Sequence, residues 1–389
     1  LQLKLKNACN LEVNTKPVST LHIIADSNAW GAASAFKALD GYAITLDILD
    51  AQAMNANSIK DADVLIVRSS VQVNEALLKG SKVKFVGTAT IGDDHVDLAY
   101  LKDQGIAFAS AAGSSTESVV EYMLACLYQL QTMEKLDFDS DTLGIIGVGR
   151  IGSLLEQSCE ILGLQTELND PPRQREEELR KFKDIEYLLK YADVLTLHTP
   201  LIRDGKDNTV HLLDADVFSR FHGNGIINAG RGPCVDNQAL RAWLDEDSKR
   251  FAILDCWEGE PSVDLALVTH PQVVIATPHI AGHSLDGKAA NTLFVYNALC
   301  DFLEVSYQWD IDADLPEIDV KSIDLNNKRS DLIKQFYPIV EDSNTMKEAA
   351  ETPETFAAWF RHYRNHYPIR RSWRKTLQAI SPDAEDMFL

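Results

Sequence analysis

The sequence predicts an α/β protein with two doubly wound parallel-sheet domains and a small α+β domain at its C-terminal end. Three observations carry that expectation. Short apolar runs alternate with helix-like segments through residues 21–110, and again from residue 141 to residue 276. A strand-like run ends in the turn Gly147-Val-Gly149-Arg150-Ile151-Gly152, from which a helical pattern opens. Near residue 308 the composition changes, first to an acidic stretch and then to a helical, aromatic one with a basic segment. At 389 residues the chain also exceeds what one core holds, about 250–300 residues.

In the first unit the strand candidates are Leu21–Ala25, Ala43–Leu46, Val64–Val67, Lys84–Val86 and Ile106–Phe108. Helix candidates Ala29–Leu39, Asn74–Lys79 and His95–Gln104 lie between them. Such alternation marks parallel βαβ units, whose strands are covered on both faces and read as unbroken apolar runs. Ser114 or Ser115 stands where an N-cap is expected before the apolar helix Ser118–Gln131, whose Tyr122, Met123, Leu127 and Leu130 are expected in the core. The second unit repeats the pattern. Its strand candidates are Leu143–Val148, Leu164–Leu168, Val194–Leu197, Gly225–Asn228, Ile253–Cys256 and Val273–Ala276. Its helix candidates are Ile151–Leu162, Ile185–Tyr191, Asp214–Phe221, Asn237–Leu244 and, past Gly282, Lys288–Glu304.

Composition narrows the function. Acidic residues outnumber basic ones 58 to 37, for a formal net charge of −21. Such a chain repels phosphate backbones, so no nucleic-acid partner is expected. No apolar stretch has the length of a membrane span, about 18 residues or more, and residues 1–20 lack the apolar run of a signal peptide. The six cysteines are scattered without a Cys-x-x-Cys pair. That favours reduced thiols and a cytoplasmic protein, with no metal site. His362 and His366 are spaced like metal ligands, but no carboxylate motif accompanies them, and they read as a helix face.

The glycine-rich turn points to a dinucleotide. Gly147 permits the tight turn, Gly149 lets backbone approach a pyrophosphate, and Gly152 lets the helix pack against the sheet. The helix N-terminus offers free N–H groups and a positive dipole end. Asp170 closes the next strand, where an acidic side chain hydrogen-bonds a ribose 2′-hydroxyl and repels a 2′-phosphate. This Rossmann/flavodoxin-like arrangement predicts NAD rather than NADP, with Arg173 nearby as a countervailing charge.

Three later segments stand at strand ends: Asn228-Ala-Gly-Arg231-Gly, Asp255-Cys-Trp-Glu-Gly-Glu260-Pro and Thr277-Pro-His279-Ile-Ala-Gly282. Ligands of open parallel sheets bind beyond the carboxyl ends of strands. Oxidation of a secondary alcohol needs a base for the hydroxyl proton, and His279 suits. It needs a carboxylate to orient that imidazole, and Glu260 suits. A cation for a substrate carboxylate completes the set, and Arg231 has the planar fork.

With these motifs in view, the chain resembles the D-isomer-specific 2-hydroxyacid dehydrogenases. Val67-Arg-Ser69, Phe85–Thr90, Asp94-His-Val-Asp97, Asn169–Pro172, His198-Thr-Pro200, Trp257–Pro261 and Tyr367–Trp373 support the resemblance. It implies Arg231, Glu260 and His279 as active-site residues. It places Asp170, Thr199, Ala229, Gly230, Asp255 and Gly282 along the NAD site, beside Gly147, Gly149, Arg150, Ile151 and Gly152. Ser69 and Thr90 would hold substrate from the first domain, with His283 where the family commonly has Tyr. Gly230 replaces a common Cys, and Ala25-Asp-Ser-Asn28 departs from the usual Val-Asp-Glu-Asn. The implied substrate is a small phosphorylated 2-hydroxy acid on the way to pyridoxal 5′-phosphate, and the implied assembly is a homodimer formed through the C-terminal domain.

On this reading the domains are residues 21–115 with 284–306, then 116–283, then 307–389, after an extension at 1–20. Arg68 is expected to help bind the phosphate. The basic segment Arg361–Lys375 is expected at an interface or surface, or reaching a partner's cleft. Two other functions stay open: another hydroxyacid dehydrogenase, such as one for 3-phosphoglycerate, or a non-catalytic NAD-sensing protein.

Overall fold

The structure is a computed structural model that describes residues 19–177, 181–318, 320, 329–368 and 370–380. Most of the expected N-terminal extension and the last nine residues lie outside the described residues. Five strands, β1 (Ser19–Asp26), β2 (Tyr42–Leu49), β3 (Val64–Val67), β4 (Phe85–Thr88) and β5 (Ala107–Ser110), form a parallel sheet in the order β2-β1-β3-β4-β5. Six more, β6 (Thr142–Ile146), β7 (Gln165–Asn169), β8 (Val194–Leu197), β9 (Gly225–Asn228), β10 (Phe251–Leu254) and β11 (Val273–Ala276), form a second in the order β11-β10-β9-β8-β6-β7. Beyond β7 a single parallel bridge, Leu168 to Phe182, extends the edge by one residue. Each sheet reverses its winding once, between β1 and β3 and between β6 and β8. The crevice at such a switch is where open α/β sheets bind ligands.

Strands β3, β8, β9 and β10 are buried along their whole length, which is why they read as apolar runs. The edge strand β2 alternates instead. Helices start where a loop carboxylate or amide accepts a backbone N–H: Asn74, Asp97, Asp184, Asp214, Asp236 and Asp264 all cap in this way. Each such cap contributes about 1 kcal/mol, so part of the acidic surplus serves the fold. The expected helix Ala29–Leu39 is shorter, Ala32–Ala35, because the chain turns at Gly31 with φ 72° and Phe36 and Leu39 are buried from loop positions.

Two long helices join the sheets. Thr116–Thr132 packs with Leu143 and Ile145 of the second sheet and with Leu155 of the helix Arg150–Leu162 beside it. Leu285–Leu303 returns to the first, where Val295, Tyr296 and Leu299 share a cluster with Ile23, Val64 and Phe85. Gly87 makes room for it: a Cβ there would lie 2.2 Å from Val295 Cγ1. The C-terminal region is helical throughout its described residues, which narrows the α+β expectation to helices there. Its apolar positions recur at helical rather than strand spacing and pack on the second sheet. Leu332, Tyr337 and Trp373 join the cluster around Thr116–Thr132, and Met346, Phe356 and Phe360 join the one containing Val273 and Ala276. Among the described residues no helix is long and apolar enough to cross a membrane. The five described cysteines are all free and buried.

A buried ion pair locks the C-terminal helices on. Arg370 Nη1 donates to Glu121 Oε2 at 2.6 Å, both side chains being under a tenth exposed, and the Trp373 amide donates to Glu121 Oε1. Arg370→Met strands a buried carboxylate and is expected to destabilise the protein by about 3–5 kcal/mol, read from denaturant unfolding. Burial also pushes the His198 imidazole down to about 4 from an ordinary 6.5. The unfolded chain therefore takes up a proton that the folded one refuses. Stability is full above the ordinary value and falls as pH drops from about 6.5 towards 4, by at most about 3 kcal/mol. His198→Gln is expected to flatten that part of the stability–pH curve.

Candidate active site

The glycine-rich turn leaves β6 and enters the helix Arg150–Leu162. Gly147 has φ 86°, and a Cβ on it would lie 2.8 Å from the backbone of His198 and Thr199. A Cβ on Gly152 would lie 2.3 Å from the Gly147 carbonyl oxygen. Gly149 is the N-cap, makes no side-chain cap, and has nothing within 4 Å of where a Cβ would stand. The result is an open cradle of uncapped amides, which fits a pyrophosphate. Asp170 accepts the Val148 amide at 2.8 Å and the Arg173 amide at 3.0 Å, tying the end of β7 to this turn. Arg173 is not free to seek a phosphate. It pairs with Glu177, spans to Ser153 Oγ and donates to the Val148 carbonyl.

The second group of residues is built on the ends of β9, β10 and β11. Asn228 Nδ2 donates to the Arg231 carbonyl, and its Oδ1 accepts the Gly230 amide. Gly232 admits the neighbouring turn, for a Cβ there would lie 1.9 Å from the Trp257 carbonyl oxygen. The Trp257 amide donates to Glu260 Oε1 at 2.7 Å, and Glu260 Oε2 meets His279 Nδ1 at 2.8 Å. Burial pushes the Glu260 carboxyl up, but the charge and hydrogen bond of His279, the charge of Arg364 and the Trp257 amide outweigh it, leaving it below its usual range. His279 itself has φ 56°, a left-handed conformation that costs a non-glycine residue energy. Asp255, fully buried, holds that turn in place: its oxygens accept the Ile280 and Ala281 amides and the Thr277 hydroxyl.

The second group faces a cavity of about 340 Å³ between the sheets, which Ile151 reaches from the glycine-rich turn. Of the residues expected from sequence, Arg68, Ser69, Thr90, Ile151, Ala229, Gly230, Arg231, Asp255, His279, Gly282 and His283 line it. Glu260 stands behind His279. Gly147, Gly149, Arg150, Gly152, Asp170 and Thr199 belong to the adjoining turns and do not line it. The cleft is bridged: Arg231 Nε donates to Asp94 Oδ2 at 3.1 Å, and the Arg231 guanidinium packs where a Gly92 side chain would stand. Burial disfavours the Arg231 charge, but Asp94 outweighs it. Thr90 is held by Thr88 and the Gly92 carbonyl, and Thr88 by buried His95. Cys256 Sγ lies within 4.8 Å of the Glu260 and His279 ligand atoms, with its thiol pushed well up by burial.

Several cavity residues are not among the site residues expected from sequence: Gln72, Asp94, Ser115, Asn291 and Arg364. Ser115 does occupy the N-cap position, yet its hydroxyl makes no cap bond. The basic segment is resolved into separate jobs within one chain. Arg370, Arg371 and Arg374 pair with Glu121, Asp286 and Glu117, whereas Arg364 Nε reaches the His279 carbonyl at 3.1 Å. The expectation of a surface patch or a reach into a partner therefore gives way, for Arg364, to its own cleft. His362, in the last turn of its helix, and His366, at the C-cap, stack at 4.1 Å between ring centroids.

Residues 106–281 match the model of the D-isomer specific 2-hydroxyacid dehydrogenase, NAD binding domain. An erythronate-4-phosphate dehydrogenase of Proteus mirabilis is 38% identical over 88% of this chain and 89% of that protein. The chain belongs to the D-isomer specific 2-hydroxyacid dehydrogenases. It is an NAD-dependent dehydrogenase. The erythronate-4-phosphate dehydrogenase of Escherichia coli O9:H4 is 40% identical over 84% of this chain and 86% of its own. The family fold recurs in the Aquifex aeolicus D-lactate dehydrogenase (TM-score 0.60, 23% identity, 72% of this chain and 95% of that one). It recurs also in the Entamoeba histolytica 3-phosphoglycerate dehydrogenase (TM-score 0.62, 22% identity, 75% of this chain and 99% of that one). Since any side chain on Gly152 meets the Gly147 carbonyl, Gly152→Ala is expected to weaken NAD binding by at least about tenfold, measured by fluorescence titration.

Proposed function

We propose that the protein oxidises 4-phospho-D-erythronate at C2 to 3-hydroxy-2-oxo-4-phosphobutanoate. The substrate is taken from the named relatives. The observation that carries the chemistry is the 2.8 Å contact between His279 Nδ1 and Glu260 Oε2, beside a cavity that Arg231 also lines. A carboxylate on Nδ1 fixes the ring and stabilises its protonated form, which leaves Nε2 to accept the proton of the C2 hydroxyl. Arg231 offers its fork to the substrate carboxylate. Ser69 and Thr90 hold the substrate from the first sheet. His283, kept neutral by burial and the surrounding cations, stands beside them. The amides of Gly149, Arg150 and Ile151 would hold the NAD pyrophosphate and Asp170 its ribose, with Thr199, Ala229, Gly230, Asp255 and Gly282 toward its nicotinamide end. NAD, when bound, would supply the hydride acceptor for C2.

The test is a single-turnover assay of NADH formation with NAD-loaded protein and, separately, 4-phospho-D-erythronate, 3-phosphoglycerate and D-lactate. A signal with the first alone is expected, falling by about 10²–10⁴ in His279→Ala. A signal with another acid instead overturns the substrate while keeping the chemistry. Silence with all three, despite NAD binding, overturns both.

A further inference from the structure

A soft ligand stands beside the proton-transfer pair. Cys256 follows β10, and Glu260 comes four residues later in the same turn. His279 arrives from the end of β11. One ligand atom of each, the Cys256 Sγ, a Glu260 carboxylate oxygen and a His279 ring nitrogen, lies within 4.8 Å of the other two. Among the described residues no other group of three or more histidine, cysteine and acidic side chains gathers so closely. Spacing along the chain conceals it. Cys256 has no second cysteine nearby to form a metal motif, and the histidine joins it only because two strands lie side by side.

Glu260 Oε1 accepts the Trp257 amide, while Oε2 meets His279 Nδ1 at 2.8 Å. The buried Cys256 thiol points at the Gly230 carbonyl, 3.2 Å away. A thiol, an imidazole and a carboxylate are the donor set of zinc, whose bonds of about 2.0–2.3 Å hold its ligand atoms about 3.5 Å apart. Burial, Asp255 and Glu260 push the thiol well up. A metal binds the thiolate and itself drives that proton off. The surrounding charge permits this. Asp255 and Glu260 act on Cys256 as anions, and of the two opposing arginines, Arg231 and Arg364, the first is already met by Asp94. His279 lines the cavity, which gives a cation its way in.

We propose that Cys256, Glu260 and His279 form an inhibitory site for a thiophilic divalent cation of the zinc class, with water in the fourth position. Binding makes metal–sulfur, metal–oxygen and metal–nitrogen bonds and changes no oxidation state. The thiol proton leaves to solvent. In the neutral ring the metal takes Nδ1, and the ring proton moves to Nε2, so one proton is released for each cation bound. An imidazole with its proton on Nε2 has no lone pair there to accept another. Glu260, now a ligand, no longer steadies a protonated ring. Oxidation of the C2 hydroxyl therefore stops. The site stands on its three ligands; its effect on turnover rests on the reading of His279 as the base.

The experiment titrates NAD-loaded wild-type protein, Cys256→Ser, Cys256→Ala and His362→Gln with zinc chloride. Calorimetry in two buffers of different ionisation heat reads affinity and proton release, and the same proteins are assayed with 4-phospho-D-erythronate. His362→Gln removes the stacked histidine pair, the rival place for zinc to collect. Wild type is expected to bind one zinc at about micromolar concentration with release of about one proton, and to lose turnover over the same range until a chelator restores it. Both Cys256 variants are expected to keep basal turnover and to lose zinc affinity and inhibition by at least about a hundredfold. His362→Gln is expected to match wild type. No binding up to about 100 µM zinc, inhibition unmoved in the Cys256 variants or lost in His362→Gln, or binding that leaves turnover intact overturns the proposal. NAD affinity reports folding; where one Cys256 variant loses it, the other decides. Zinc binding that depends on Cys256 in a protein that does not oxidise 4-phospho-D-erythronate keeps the metal site and removes the substrate proposed above.

Discussion

Asp255 is buried to the last atom of its side chain, and it spends its carboxylate on the turn that carries His279. The Thr277 hydroxyl that also binds it is met from the other side by Tyr122 on the crossover helix. The Trp257 indole donates to the Thr277 carbonyl, and its amide orients Glu260. A histidine in a left-handed backbone conformation persists only when its surroundings over-determine it. Here three strand ends, a helix and, through Arg364, the C-terminal region do so. That one buried carboxylate sets where the imidazole stands, and Glu260 sets how it is turned.

The parts of this arrangement that a reader of the sequence could see are those set by local rules. Val64–Val67, Val194–Leu197, Gly225–Asn228 and Val273–Ala276 announce themselves because a parallel strand covered on both faces has no reason to alternate. The turn at Gly147–Gly152 is legible because backbone contact excludes side chains at fixed spacing. The pairing of Glu260 with His279 was foreseeable from the chemistry of alcohol oxidation. What escaped depends on contacts between distant segments. Arg364 is 85 residues from the carbonyl it holds; periodicity puts it on the buried face of its helix, four residues after Phe360, but not against any particular segment. Ser115 has the residue type and place of a cap but faces the cleft, a choice made by tertiary packing.

Charge is distributed with a purpose that composition alone conceals. Aspartates sit at helix starts, where carboxylates favour the positive end of the dipole, and glutamates and aspartates pin the other arginines of the basic segment. The cleft is neutralised only in part: Arg231 meets Asp94 and His279 meets Glu260, whereas Arg68 forms no ion pair among the described residues.

The chain passes between the two sheets twice, near Ser114–Ser115 and near His283–Ser284, and these passages are stitched together. The Ser118 and Ser284 hydroxyls meet, Ser114 donates to Asn291, and a Cβ on Gly287 would lie 2.7 Å from Ser118 Oγ. Two crossings bound side by side join the sheets along one seam. Arg231, Glu260 and His279 stand on the second sheet's side of it, whereas Arg68, Ser69, Thr90 and Asp94 stand on the first's. Any movement about that seam would part Arg231 from Asp94 and leave the contact between Glu260 and His279 whole, because both of its partners belong to the same side.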